Sequence, residues 1–262
     1  RHVLTTADWS PSELQGLLDR AATFKSGTVS RSLEGKSIAL LFFNPSLRTR
    51  SSFDIGAHQM GGHAIVLDAK GATWPLEVSD GTVMDGSEEE HVREAARVLS
   101  SYVDLIAIRC FPEFKDWRAE REDPMISAFA KHATVPVINM ETIVHPCQEL
   151  ALMLALQERM GSVEGKDFLL TWVPHPKPLN TAVANSALLI ASKFGMNVRM
   201  LVPDEAYRLD ERYMTAAEKF CGDAGASLSV TTDVEAAYSG ASVVYAKSWG
   251  ALPFYGNWED EA

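Results

Sequence analysis

The sequence contains no run of about eighteen apolar residues, so no membrane-spanning helix is expected and the membrane is not a partner. Residue 1 is Arg and no charged-then-apolar leader follows it, so no signal peptide is read. Cysteine is scarce. Cys110, Cys147 and Cys221 are odd in number and far apart, which reads as reduced thiols in a cytoplasmic protein. There is no CxxC pair and no HExxH, so neither a metal nor another cofactor is expected. GxGxxG is absent, as is GxxxxGK followed by Ser or Thr, which argues against a nucleotide-binding α/β protein. Positive charge is also short: 24 Lys and Arg face 35 Asp and Glu, for a net charge of −11. That balance excludes a nucleic-acid coat or a basic membrane-surface protein. An anionic small molecule stays compatible with it, provided a few arginines are concentrated in one place.

What the sequence does have is apolar mass. Of 262 residues, 46% are hydrophobic, enough for one large domain or two of ordinary size. Ser10 followed by Pro11 opens an apolar-periodic helix through Leu14, Leu17, Leu18 and Ala22. Lys36-Ser37-Ile38-Ala39-Leu40-Leu41-Phe42-Phe43 is a short, nearly continuous apolar run, as a parallel strand buried on both faces should be. After Asn44-Pro45-Ser46 a helical pattern runs to about Met60. Strand and helix then alternate: 64–67, 89–102, 105–108, 123–131 and 135–138. A long helix is read from about Pro146 to Met160, and 161–165 punctuate the chain. The rhythm restarts with a strand at 168–172, a helix at 181–194 and a strand at 197–201. A helix at 210–221, a strand at 227–230, a short helix at 234–238 and a strand at 242–245 follow.

This is the α/β rhythm of parallel sheets flanked by helices. The expected architecture is two doubly wound domains, each with a central parallel sheet. The boundaries read as 1–145 for the first domain, 146–164 for a linking helix and 165–262 for the second domain. The segment from Asp68 to Glu88 fits neither helix nor strand. Loops of that length are usually functional or disordered, and Trp74 in its middle favours function.

Two places carry chemistry. At Phe43-Asn44-Pro45-Ser46-Leu47-Arg48-Thr49-Arg50, a buried strand runs into a helix whose first turn holds hydroxyls and two arginines. A helix N-terminus with a guanidinium beside it is an anion site. The bland alternative is a capping Ser with arginines that pair surface carboxylates, at about even odds. His145-Pro146-Cys147-Gln148 opens a second helix beyond a strand end, where open α/β sheets bind ligands, and Arg109 occupies the same topological place. Arg48, Arg109 and His145 from three strand ends would form one cationic pocket. Cys147 has no evident base partner and reads as a packing residue.

Ser46-Leu47-Arg48-Thr49-Arg50 with Phe53, taken together with His145-Pro146-Cys147-Gln148, resembles the phosphate loop and the HPxQ motif of the aspartate/ornithine transcarbamylase family. The resemblance covers essentially the whole chain. Segments similar to members that act on an acylated ornithine are Phe42-Phe43-Asn44-Pro45, Trp74-Pro75, Val83-Met84-Asp85-Gly86, Asn139-Met140-Glu141-Thr142, His175-Pro176-Lys177-Pro178-Leu179-Asn180 and Tyr245-Ala246-Lys247-Ser248-Trp249-Gly250. Leu47 stands where the family commonly has Thr or Met. The family continues through a His-Cys-Leu-Pro segment and a C-terminal helix. Neither lies within residues 1–262, so the second domain is expected to be C-terminally incomplete.

The resemblance implies carbamoyl transfer from carbamoyl phosphate to a side-chain amine, in arginine biosynthesis, by a homotrimer with shared active sites. Ser46, Leu47, Arg48, Thr49, Trp74, Arg109, His145, Pro146, Cys147 and Gln148 would bind carbamoyl phosphate, with Trp74 arriving from a neighbouring subunit. Arg48, Arg109, His145 and Gln148 would be catalytic. Glu141, His175, Asn180 and Lys247 would bind the amino-acid substrate. Relatives that use free ornithine place an Asp after the last strand to hold its α-ammonium. Lys247 at that place suits the α-carboxylate of a substrate whose α-amine is acylated, here N-acetyl-L-ornithine. Glu89 resembles the position that is Glu where the acyl group is acetyl and Pro where it is succinyl. A carboxylate there would repel the second carboxylate of a succinyl group. Two alternatives stay open: transfer to N-succinylornithine, and a homologue that only binds carbamoyl phosphate or assembles.

Overall fold

The computed structural model describes all residues except 29, 72–74, 258 and 262. It comprises two compact units. One holds Arg1–Leu4, Thr23–Pro112 and Arg118–Thr142, and the other holds Thr5–Ala22, Glu113–Trp117 and Ile143–Ala262.

In the first unit β1 (Ser37–Phe42) lies between β2 (His63–Asp68) and β5 (Leu105–Arg109), with β6 (Val137–Glu141) beyond β5. Every pairing in this sheet is parallel. The apolar run of β1 is explained by burial on both faces. Ala39 and Leu41 pack with Ile106, Ile108 and helices α3 (Val92–Tyr102) and α5 (Pro124–His132). Ile38, Leu40 and Phe42 pack on the other face with Ala107, Met140 and helix α2 (Arg48–Gln59), through Ala57 and Phe53. Successive side chains thus serve opposite layers, as the period of a strand requires.

Part of the long 68–88 segment is more ordered than its sequence suggests. β3 (Leu76–Glu77) pairs in parallel with β4 (Glu90–His91), so the helix expected from residue 89 begins only at Val92. His91 caps α3 by accepting the Arg93 N–H at Nδ1 (3.0 Å). That leaves Nε2 as the donor toward the Ser79 carbonyl at 3.2 Å, which pins the segment to the helix start. A short helix, α4 (Trp117–Glu120), precedes α5 in the chain.

The second sheet has the order β10-β7-β8-β9, with β7 (Asp167–Trp172), β8 (Asn197–Leu201), β9 (Leu228–Thr231) and β10 (Val243–Lys247) all parallel. Around it lie α1 (Pro11–Lys25), α6 (Pro146–Met160), α7 (Ala182–Lys193), α8 (Glu211–Ala224) and α9 (Val234–Tyr238). Every residue of α7 is buried. Phe168, Leu170, Leu188, Ile190, Met200, Met214 and Trp249 form the middle of the core.

The units differ from the expected boundaries in several places, among them residues 113–117 and 143–145, which fall in the second unit. Residues 5–22 belong to the second unit, because Leu14 and Leu18 of α1 insert into its core. Helix α6 belongs there as well and is no free-standing linker, since Met153 is fully buried in the same core. Gln15 and Gln157 exchange side-chain amide hydrogen bonds between α1 and α6. Lys193 of α7 donates to the carbonyls of Thr6, Ala7 and Trp9, which fixes the chain just ahead of α1.

If α1 is a core element of the second unit, Leu18→Ala should cost about 2–5 kcal/mol, the usual penalty for emptying a fully buried leucine site. Urea unfolding monitored by far-ultraviolet circular dichroism measures this. A loss below about 0.5 kcal/mol would mean that α1 is only a surface attachment.

Candidate active site

In the first sheet the chain moves from β1 to β2 on one side, then returns to place β5 and β6 on the other. The reversal falls between β1 and β5. Past the carboxyl ends of the strands at such a reversal, α/β sheets bind ligands. The turn that leaves β1 there carries Ser46 and Leu47 into α2, which starts at Arg48. Ser46 Oγ accepts the Thr49 N–H at 3.2 Å, so the serine does cap the helix. The arginine half of the bland alternative does not hold for Arg48, which is exposed and has no acidic partner among the described residues. Leu47 is 83% exposed and contributes its backbone to the turn. An unneutralised guanidinium thus stands at the positive end of a twelve-residue helix, which suits an oxyanion.

Arg109 closes β5, in register with Phe42 of β1 and with Glu141 of β6. An extra residue in β6 shifts the register at this point, so that Asn139 faces Ile108 while Glu141 faces Arg109. Such bulges re-aim a side chain at a sheet end. Here the result is an ion pair between Arg109 Nη1 and Glu141 Oε2, with both side chains close to nine-tenths buried. Arg109 Cζ lies 4.4 Å from the centre of the Phe111 ring. The Phe111 N–H donates to Asn44 Oδ1 at 2.7 Å, and the Phe43 N–H donates to the Arg109 carbonyl at 2.8 Å. The Cys110 N–H donates to the Glu141 carbonyl at 3.0 Å. The turn after β1 and the ends of β5 and β6 are therefore one hydrogen-bonded assembly. The buried Arg109 Nε has no acceptor among the described residues. The sequence assigns Arg109 and Glu141 to different substrates, yet the structure brings them into contact.

In the second unit the order reverses between β7 and β10. Lys247 ends β10 opposite Trp172, the last residue of β7. The segment after β7 carries His175, which is exposed and accepts the Lys177 N–H at Nδ1 (3.1 Å). Asn180 Oδ1 accepts the Ala182 N–H at 3.2 Å and starts α7. His175, Asn180 and Lys247 are thus on elements that leave one sheet edge at its reversal. His145, with Pro146 behind it at the first helical position, is the buried N-cap of α6. One turn on, Gln148 Nε2 donates to the Tyr245 hydroxyl of β10 at 3.2 Å, two residues before Lys247.

Burial, and then the carboxyl of Glu149, push the Cys147 thiol up to about 12. It stays protonated at neutral pH and is no nucleophile. Glu89 is exposed just ahead of β4, its N–H donating to the Pro75 carbonyl at 3.3 Å. Trp74 lies outside the described residues. Sequence reasoning missed Asn44, Phe111, Asn185 and Ser186 as parts of these arrangements. The last two had a readable signal: a polar pair inside the apolar run Ala182-Val183-Ala184-Asn185-Ser186-Ala187-Leu188-Leu189-Ile190.

Two parallel sheets, each with candidate site residues at its point of reversal and one with an anion-type helix start, define a ligand-binding α/β protein. Residues 1–158 match the family model described as aspartate/ornithine carbamoyltransferase, carbamoyl-P binding domain, and residues 178–262 match its Asp/Orn binding domain. The chain belongs to the aspartate/ornithine carbamoyltransferase family. It is 59% identical over 263 residues to the N-acetylornithine carbamoyltransferase of Xanthomonas campestris pv. campestris, covering 100% of this chain and 78% of that one. The N-succinylornithine carbamoyltransferase of Bacteroides fragilis is 36% identical over 217 residues, covering 82% of this chain and 64% of that one. A crystal structure of acetylornithine transcarbamylase complexed with acetylcitrulline superposes with a TM-score of 0.98 at 59% identity, covering 100% of this chain and 79% of that one.

Glu149, behind the HPxQ turn, is 1% exposed, and burial raises its carboxyl well above the ordinary value of 4.5 against the partial opposition of Lys193. The folded state therefore keeps a proton that the unfolded chain gives up near pH 4.5, and stability from this group falls as pH rises past that value. Glu149→Gln removes the liability. Its melting temperature should match the parent near the ordinary carboxylate range and exceed it increasingly toward about pH 8. A gap that favours the parent at the higher pH would show an ionised Glu149 held by Lys193.

Proposed function

We propose that the chain transfers the carbamoyl group of carbamoyl phosphate to the side-chain amine of N-acetyl-L-ornithine, giving N-acetyl-L-citrulline and phosphate in arginine biosynthesis. The observation that carries this reading is Arg48 at the start of α2, exposed and without an acidic partner among the described residues, beside the strand whose neighbour ends in Arg109.

The reaction needs a neutral amine to attack the carbamoyl carbon while phosphate leaves with the bonding electrons. Charge builds first on the carbonyl oxygen and then on the bridging oxygen of the departing phosphate. Fixed donors in a site shielded from water stabilise both without reorganising during the reaction. The first unit supplies the phosphate contacts: Ser46, the Leu47 backbone, Arg48 and Thr49. Arg109, held by Glu141 and stacked on Phe111, points its guanidinium at the bridging oxygen and the carbonyl. In the second unit, His145 and Gln148 donate to the carbonyl oxygen, while Pro146 and Cys147 shape the turn. Attachment of Gln148 to Tyr245 limits its rotamers and thereby supports that role.

Lys247 pairs the α-carboxylate of the amino-acid substrate, with His175 and Asn180 on the neighbouring segment and Glu141 facing its amine. A lysine at this place disfavours the α-ammonium of free ornithine, which supports an acylated substrate. Glu89 selects acetyl over succinyl by charge. The family resemblance supports a homotrimer in the cytoplasm.

Citrulline formation measured with N-acetylornithine, N-succinylornithine and ornithine tests the reading. The parent should prefer the acetyl substrate. Glu89→Ala should move the ratio of kcat/KM values toward the succinyl substrate by about tenfold or more, since screening reduces an exposed charge effect without removing it. Preference for free ornithine would overturn the Lys247 assignment, and an unchanged ratio in the Glu89 variant would overturn charge exclusion.

A further inference from the structure

Helix α7 is buried along its whole length, yet its second turn carries the polar pair Asn185 and Ser186, at 0% and 2% exposure. Buried polar groups are costly unless bonded, so their partners show what they are kept for. Both bonds end on the three residues that lead into α6. Asn185 Nδ2 donates to the Ile143 carbonyl at 3.0 Å, and Ser186 Oγ accepts the His145 N–H at 2.6 Å. Asn185 Nδ2 also lies 3.2 Å from Thr181 Oγ1, which fixes the amide from the preceding turn.

His145 is the N-cap of α6. Its backbone (φ −133°, ψ 72°) is neither helical nor extended, and its side chain does not cap α6. Its carbonyl nevertheless accepts the N–H groups of Gln148 and Glu149, so the placement of His145 sets the placement of the whole first turn. We infer that Asn185 and Ser186 are positioning residues that clamp the Ile143–His145 stretch from α7, and so aim the His145 ring and the Gln148 amide at the carbonyl being attacked. The inference rests on the carbonyl-polarising role proposed for His145 and Gln148. Displacement of a catalytic donor by about 1 Å costs on the order of a hundredfold in rate, so a clamp of this kind acts mainly on kcat.

The test compares Ser186→Val, Ser186→Thr and His145→Asn, reading kcat, KM for carbamoyl phosphate and the imidazole resonances of His145. Threonine keeps the oxygen and valine, of nearly the same shape, removes it. Ser186→Val should lower kcat by about ten- to a hundredfold, change KM by less than about threefold and move the His145 resonances. Ser186→Thr should restore kcat to within about threefold of the parent. If Ser186→Val does not fold, Ser186→Ala read at the same resonances carries the test. Full kcat in the oxygen-free variant, with His145→Asn impaired, overturns the clamp and leaves the role of His145 standing. A kcat loss with unmoved His145 resonances also overturns the clamp. An active His145→Asn overturns the role of His145 itself and the clamp with it.

Discussion

The ion pair of Arg109 with Glu141 is the constraint on which the first unit's arrangement depends. A guanidinium at the end of a buried parallel strand loses its water, and without a partner that loss would be prohibitive. Glu141 reaches it only because β6 carries an extra residue at the sheet end. The Phe111 ring covers the guanidinium face, and Asn44 ties Phe111 back to the turn that leaves β1. Position is what such a pair contributes, since its desolvation cost offsets most of its Coulombic gain. Arg109 is held in one orientation beside a helix start whose own arginine has no acidic partner among the described residues. One cation is thus fixed by structure while Arg48 stays available for a ligand.

The second unit solves a related problem with neutral groups. Its central helix is apolar enough to be buried outright, and two of its polar side chains, Asn185 and Ser186, hold the backbone that leads into the HPxQ turn. The same helix ends in Lys193, which gathers three carbonyls ahead of α1 and sits 4.1 Å from the Phe220 ring centre. Polar groups buried in this unit therefore secure irregular backbone that neither sheet nor helix could satisfy. Glu149 is buried in the same unit, and burial raises its carboxyl well above the ordinary value.

Much of this architecture was legible from periodicity. The nearly continuous apolar run at residues 36–43 announced a buried parallel strand, residues 168–172 read as a second, and the Ser10-Pro11 start announced α1. The boundaries of the units were not legible, because nothing in the pattern of α1 or α6 says which core their apolar faces meet. Leu14, Leu18 and Met153 decide that through tertiary packing. The two-residue ladder of β3 and β4 was hidden for a similar reason: two residues are too few to show alternation. Among the site residues, Arg48, Arg109 and His145 could be read from helix starts and strand ends. The pairing of Arg109 with Glu141 could not, since it depends on a bulge one residue long. Asn185 and Ser186 were not read as site residues, because their role depends on bonds that end at Ile143 and His145, on a distant segment.

The account stands or falls on the anion site at the start of α2. Calorimetric titration of carbamoyl phosphate into the parent protein and into Arg48→Ala measures it directly, with Arg50→Ala as the control for a second exposed cation on the same helix. Arg48→Ala should weaken binding by about a hundredfold, the scale of a charge-assisted hydrogen-bonded contact, with an unchanged melting temperature. Arg50→Ala should bind within a few-fold of the parent. Equal affinity in the parent and Arg48→Ala would contradict the account.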